Sequence, residues 1–371
     1  MNDILITENN LSFRLALTLI PGIGDVLAKN LVSYCGGAEQ IFKAKKKELL
    51  RIPGIDEVRA KSVLEFDRWK EVEKEIAFIV KNKIRPYFFL DADYPVRLKG
   101  LADAPIMLFV KGILELNAAR TIAIVGTRHA TEYGKYITDT LIEGLKPFNA
   151  TIISGLAYGI DITSHRAALK QELQNIAVLG HGLNRLYPGA HRATAIRMME
   201  FGGLVTEFKS IDDFEPQNFP KRNRIVAGLS DAVIIIESAV NGGALITAEI
   251  AHSYNRDVYC VPGRVGDKFS EGCNRFIKSN KASLVQSAED VAAFMRWEQK
   301  VPTAARQKEL FVELNEDESI IAGLLRKQKE MQIDLIGTGT GFSSSQLAAA
   351  LLNLEFKGII ISLPGKMYRL A

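Results

Sequence analysis

Six short apolar runs, each followed by a stretch long enough for a helix, constrain this 371-residue chain more than any other feature. They are Thr121–Val125, Thr151–Ser154, Asn175–Leu179, Gly203–Thr206, Ala232–Ile236 and Asp257–Cys260. The first, third and fifth are almost wholly apolar, so neither face of such a strand suits water. Strands of that kind belong in a parallel sheet covered by helices on both sides. The alternation predicts an α/β fold, a Rossmann-like doubly wound, mostly parallel sheet over residues 86–295. Ala104–Gly112, ahead of it, reads as a strand ending at a turn.

Residues 1–85 read as an all-α domain with an internal repeat. Pro21-Gly22-Ile23-Gly24 precedes one helix and Pro53-Gly54-Ile55-Asp56 another, as in paired helix-hairpin-helix (SAM-like) motifs. Such turns either expose amides to a phosphate or serve as packing corners, and both readings stand. Asp56 suits the second turn less well to a phosphate, and the run Lys43–Lys47 reads as a solvated face. Residues 296–308 are polar, carry Pro302 and read as a linker. Residues 309–371 show helices at Asp317–Lys329 and Ser344–Leu354, then two short strands around Pro364-Gly365, a winged-helix pattern. The helix Ser344–Leu354 has no Lys or Arg, which argues against major-groove binding and toward protein contact or packing.

Apolar residues are 47% and charged residues 24% of the chain, as in ordinary globular proteins. A net charge of +4 permits a nucleic-acid partner, but the placement of charge decides. Cys35, Cys260 and Cys273 form no CxxC pair, so neither zinc nor a disulfide is expected, and free thiols fit a reducing cytosol. No apolar run approaches the ~18–20 residues of a membrane span, and the N-terminus does not read as a signal peptide. The expected location is cytoplasmic.

Ligands of open α/β sheets bind past the carboxyl ends of the strands. The turns there are Gly126-Thr127-Arg128, Ser154-Gly155 running on to Gly159-Ile160-Asp161, Gly180-His181-Gly182, and Asn241-Gly242-Gly243-Ala244. Small residues at helix starts let amides approach an oxyanion. No strand is followed by GxGxxG and no GxxxxGK[ST] occurs, so no nucleotide cofactor is expected. The strongest local feature is Phe219-Pro220-Lys221-Arg222-Asn223-Arg224, three cations and an aromatic ring placed just before an apolar helix. Arg can clamp phosphates and Phe can stack on an unpaired base; alternatively Arg222 or Arg224 pairs with a core carboxylate such as Glu207 or Glu237. Asp161 and His165 stand one helical turn apart and can pair, though that spacing more often serves structure. No HExxH or GxSxG appears.

In this order, these motifs resemble the DNA-processing protein A (DprA/Smf) family over roughly residues 105–290, together with Tyr133-Gly134, Tyr187-Pro188, Ile246-Thr247-Ala248 and Val261-Pro262-Gly263. The flanking modules are similar too. The resemblance implies a non-enzymatic recombination mediator that binds and protects incoming single-stranded DNA. Such proteins help load a RecA-type recombinase in natural transformation and dimerise through the Rossmann-like domain. Carried over, the DNA site is Gly126, Thr127, Arg128, Ser154, Gly155, Phe219, Lys221, Arg222, Asn223 and Arg224, with Gly242 and Gly243 beside it. The family's Ser-Gly-Ser is Gly242-Gly243-Ala244 here, so side-chain hydroxyls are absent at that turn. Two lesser departures are Gly272-Cys273-Asn274 and Lys281-Ala282. The alternative is a Rossmann-like nucleotide phosphoribohydrolase (lysine-decarboxylase-like), with Glu249 assisting glycosidic cleavage; its PGGxGTxxE signature is only partly matched.

Overall fold

The six apolar runs become neighbouring strands of one nine-stranded sheet in the computed structural model, which describes residues 8–297, 314–328, 330–363 and 366–370. The strands are β1 Arg85–Phe88, β2 Met107–Gly112, β3 Thr121–Val125, β4 Thr151–Ser154, β5 Asn175–Val178, β6 Gly202–Thr206, β7 Ala232–Ile235, β8 Asp257–Cys260 and β9 Ser283–Leu284. Their order is β1-β2-β6-β5-β4-β3-β7-β8-β9. From β6 to β9 all pairs are parallel, while β2 joins β6, and β1 joins β2, in antiparallel fashion. Periodicity gives no sign of β1, which carries Arg85 and Pro86, or of β9, two exposed residues.

Alternation along the strands explains their composition. On β3, Ile122 and Ile124 join the core of one face, and Ala123 and Val125 that of the other. On β7, Ala232 and Ile234 divide in the same way from Val233 and Ile235. Helices Glu132–Leu145 and Ile160–Lys170 cover the first face; Asn218–Gly228 and Gly243–Ser253 cover the second. Each buried Ile or Val contributes ~1.5–3 kcal/mol, so both layers are needed. The chain winds outward from β3 to β6, then restarts at β7 on the other side of β3. That reversal opens a crevice at the carboxyl edge, between the loops leaving β3 and β7.

The N-terminal helices are Glu8–Leu17, Asp25–Cys35, Ala38–Lys43, Lys46–Leu49, Glu57–Leu64 and Trp69–Lys81. Both Pro-Gly turns form, with φ of 76° at Gly22 and 85° at Gly54, backbone that favours glycine. The helical core continues into the sheet: Leu15, Leu31 and Ile41 share one cluster with Phe88, Met107 and Phe109. Polar contacts reinforce it. Arg14 pairs with Asp91 at 2.9 Å, and the Glu75 carboxylate accepts from the Ser210 amide at 3.0 Å. Asp25 accepts from the Ile106 amide at 3.0 Å. Asp56 caps its own helix, accepting from the Arg59 amide at 2.8 Å. Both carboxylates are thus taken up in packing contacts, Asp25 with Ile106 and Arg224 and Asp56 with Arg59, which supports the packing-corner reading.

The second compact unit, residues 300–371, is described from residue 314. Helices Glu316–Lys327, Ile333–Thr340 and Ser344–Phe356 pack on β10 Met331–Gln332, β11 Ile360–Leu363 and β12 Met367–Leu370. These strands are antiparallel in the order β10-β12-β11, a winged-helix arrangement. The helix Ile333–Thr340 has no counterpart in the sequence reading, because Gly-Thr-Gly-Thr is poor in helix formers; burial of Ile336 outweighs that propensity. The linker from residue 298 onward and the Pro364-Gly365 turn lie outside the described residues. Among the described residues no helix is long and apolar enough to cross a membrane.

His165 lies fully buried between its helix and β5, its Nδ1–H donating to Asn175 Oδ1 at 2.6 Å. It does not pair with Asp161. Burial pushes the imidazole down to about 4 from 6.5. The unfolded chain therefore takes up a proton that the fold refuses, so this site's stability is complete above pH ~6.5 and falls by up to ~3 kcal/mol as pH drops toward ~4. Urea unfolding at pH 7, 5.5 and 4 checks this: His165→Gln is expected to be less stable at pH 7 but to lose less on acidification. Parallel losses in both proteins would remove the assignment.

Candidate functional site

The crevice at the reversal point is a cleft of about 430 Å³. One wall is the β3 exit, Gly126 to His129; the opposite wall is the β7 exit, with Ser238, Gly242, Gly243 and Thr247. Phe219, Pro220, Arg222 and Asn223 form a third side, and Ala157 and Asp161 the floor. The β3 exit is held by backbone: the Thr127 amide donates to Glu237 O at 2.8 Å, and Thr127 O accepts from the Ile160 amide at 3.2 Å. On the far wall the helix Gly243–Ser253 starts at Gly242, which has no side chain to cap it; the Leu245 amide donates to Gly242 O at 3.0 Å, and the amides of Gly243 and Ala244 are the ones left for an anion. This offsets the hydroxyls that Gly242-Gly243-Ala244 lacks.

The run Phe219–Arg224 is not a segment ahead of a helix: it lies within the helix Asn218–Gly228. Helical periodicity therefore splits it, since positions three and four apart share a face. Phe219, Arg222 and Asn223 face the cleft, while Lys221 and Arg224 turn away from it. Arg224 is buried against two carboxylates, 2.6 Å from Glu207 and 3.1 Å from Asp25. Lys221 stands 3.8 Å from Glu207 on the side of the N-terminal helices. Lys221 and Arg224, both expected in the site, do not line the cleft.

Arg222 is buried in the cleft wall. Its Nη1 donates to Gly155 O at 2.7 Å and also to Val178 O, tying the exits of β4 and β5 together. The guanidinium lies so close to Gly155 that no Cβ fits there. Burial pushes Arg222 down to about 10, opposed by the charge of Asp161. Asp161 is buried as well, and burial raises its pKa against the pull of Arg222 and the amides of Gly155 and Ala157, which donate to it at 3.2 and 3.3 Å. Ser154 also falls outside the cleft, its hydroxyl donating to Ile124 O at 2.6 Å inside the sheet.

Of the expected residues, then, Gly126, Thr127, Arg128, Phe219, Arg222, Asn223, Gly242 and Gly243 come together. Ser154, Gly155, Lys221 and Arg224 do not line the cleft. Arg128 is its exposed cation, and among the described residues no carboxylate pairs with it. On the floor the buried charges of Asp161 and Arg222 oppose each other, so the exposed Arg128 sets the outward charge of the cleft. Glu249 lies in a separate depression with Arg275, its carboxylate 3.3 Å from Lys281 Nζ. Asp161 and Thr247 lie in motifs at the carboxyl edge but the sequence reading does not assign them to the site, and Ser238 carries no motif signal at all. Among the described residues no cluster of three metal-ligating side chains occurs.

Residues 85–296 match the family described as DNA recombination-mediator protein A, residues 13–66 a SAM-like helix-hairpin-helix tandem, and residues 305–366 the DprA winged helix domain. The chain is 30% identical to Protein Smf of Synechocystis sp., over 96% of this chain and 98% of that relative. The structure is similar to the X-ray structure of DNA processing protein A from Streptococcus pneumoniae, with a TM-score of 0.66 and 31% identity, covering 76% of this chain and 97% of that one. It is also similar to DNA processing protein A from Helicobacter pylori, reported for its single-stranded DNA binding mode, with a TM-score of 0.52 and 26% identity over 58% of this chain and 96% of that one.

The two arginines make opposite demands on stability. Arg224→Leu leaves the buried Glu207 with only the longer Lys221 contact at 3.8 Å, deprives half-buried Asp25 of its cation, and is expected to cost ~3–5 kcal/mol. Arg128→Ala, at an exposed and unpaired position, is expected to stay within ~0.5 kcal/mol. Chemical denaturation of both variants at pH 7 decides whether the two cations have been assigned correctly.

Proposed function

This chain belongs to the DNA recombination-mediator protein A family, and from that footing we propose that it binds single-stranded DNA in the cleft between β3 and β7 and passes the strand to a RecA-type recombinase in natural transformation. One observation carries the reading: an exposed, unpaired Arg128 faces an uncapped helix start, with the Phe219 ring between them on the third side. Cation and amides suit phosphate oxygens, and the ring suits the face of an unpaired base. Contacts to phosphate oxygens and stacking on a ring face carry no base-edge information, so the binding is sequence-tolerant. The Helicobacter pylori structure, reported for its single-stranded DNA binding mode, supports the same ligand.

The proposed DNA-contacting set is Gly126, Thr127, Arg128, Phe219, Asn223, Gly242 and Gly243. Arg222 and Gly155 hold its shape from beneath. Homodimerisation through the Rossmann-like domain and a cytoplasmic location complete the proposal. The reading is of a binder rather than a hydrolase. Asp161 is engaged by Arg222 and two amides, and Glu249 is paired with Lys281 outside the cleft.

Polarisation titration of labelled single- and double-stranded oligonucleotides across a salt series tests it. Single strands are expected to bind more tightly. Arg128→Ala should weaken all sequences alike and flatten the log–log salt slope by ~0.7. Phe219→Ala should cost ~1–3 kcal/mol with the slope unchanged. If the double variant binds single strands as wild type does, the cleft is not the site. Release of free base from nucleoside monophosphates, in the absence of single-strand binding, would favour the phosphoribohydrolase instead.

A further inference from the structure

Phe219 does not stand alone at the cleft. Its ring packs against Tyr187, with centroids 5.8 Å apart, and against Phe214 at 5.7 Å. Tyr187 and Phe214 are 5.2 Å apart, edge to face, and Phe214 lies 5.9 Å from His181. Rings gathered only to fill a core would be buried, yet Tyr187 is 47% and Phe214 38% exposed. One exposed ring needs no explanation, but contiguous rings running away from a binding cleft do.

The scaffold under these rings is firm. Phe219 sits over Gly180 at the end of β5, where a Cβ would lie 3.0 Å from the ring. His181 is buried and neutral: its Nδ1–H donates to Gly182 O at 3.0 Å, and its Nε2 accepts from the Tyr187 amide at 3.2 Å. The imidazole thereby pins the loop that presents Tyr187. Charges of both signs surround the rings. The Arg185 guanidinium stands 5.7 Å from the Phe214 centroid, and among the described residues no carboxylate pairs with it. Asp213 and Glu215 flank Phe214 in the chain and repel phosphate, so a strand crossing here must keep its backbone toward Arg185 and turn its bases to the rings.

We infer that Tyr187 and Phe214 extend the Phe219 wall into a stacking ledge that takes further unpaired bases of the same strand. The ledge begins two strands from β3, ~10 Å along the sheet edge from the exit that carries Arg128. It rests on the single-strand reading of the cleft and adds to it a direction: the strand leaves over β5, on the side of the sheet away from β7. Base–ring stacking tolerates any sequence because every base has a π-face.

The full-length chain, titrated with a series of oligo-dT lengths, tests this. The double variant Tyr187→Leu/Phe214→Leu is expected to bind the longer oligonucleotides about tenfold more weakly per base lost from the ledge, with an unchanged salt slope, and to bind the shortest binding-competent oligonucleotide as wild type does. The ring-preserving Tyr187→Phe/Phe214→Trp variant should retain wild-type affinity, which separates stacking from a folding defect. A 2-aminopurine placed beyond the cleft-bound base should be quenched by wild type and by the ring-preserving variant but not by the Leu variant. If Arg128→Ala weakens binding while the Leu variant matches wild type at every length, the ledge is wrong and the cleft stands. If Arg128→Ala changes nothing, the cleft reading fails first. A Leu-variant loss at every length, or one accompanied by a flatter slope, would also overturn the ledge.

Discussion

Strands β3 and β7 are apolar on both faces, and the architecture around them follows from satisfying both at once. Ile122 and Ile124 need one helical layer, and Ala123 and Val125 need another. Parallel strands must be joined by crossovers, and these keep one hand. A chain that covers both faces with crossovers of one hand has to reverse its direction of winding, and here it reverses between β3 and β7. Their exit loops then part to opposite faces and leave the cleft. The cleft is thus a consequence of burying the central strands.

The helix Asn218–Gly228 serves two neighbours. One face gives Phe219, Arg222 and Asn223 to the cleft, and the other gives Arg224 to Glu207 and Asp25. Asp25 opens the helix after the first Pro-Gly turn, so the N-terminal module grips the back of the helix that lines the site. Arg224 Nη1 and Glu207 Oε1 remain buried without partners, so this contact is bought at a desolvation cost. On the cleft side, Arg222 and Asp161 form an internal charge pair whose hydrogen bonds hold the exits of β4 and β5. The cleft's shape therefore depends on buried charge, and its outward charge on Arg128.

The winged-helix unit has its own core around Ile336, Leu351 and Leu354, and is stapled by Lys357 to the buried Glu318 at 2.6 Å. Its helix Ser344–Phe356 carries no cation.

The sequence by itself determined the strands from β3 to β8, the parallel sheet, the two Pro-Gly turns and the Gly-rich loops at the carboxyl edge. Each is written locally, in apolar runs of strand length or in residues that only certain backbone conformations accept. It also carried the family resemblance, because those motifs occur in order. Tertiary structure alone decided which of those residues share the cleft. Lys221, Arg222 and Arg224 are close in sequence and chemically alike. Yet a helix turns about 100° per residue, so Arg222 goes to the cleft beside Asp161, while Arg224, and Lys221 at longer range, go to Glu207 on the other side. Ser154, Asp161 and His165 went the same way, each claimed by a partner distant in sequence or by the backbone. Burial and partner choice are properties of contacts between distant segments, so no single stretch of sequence could state them.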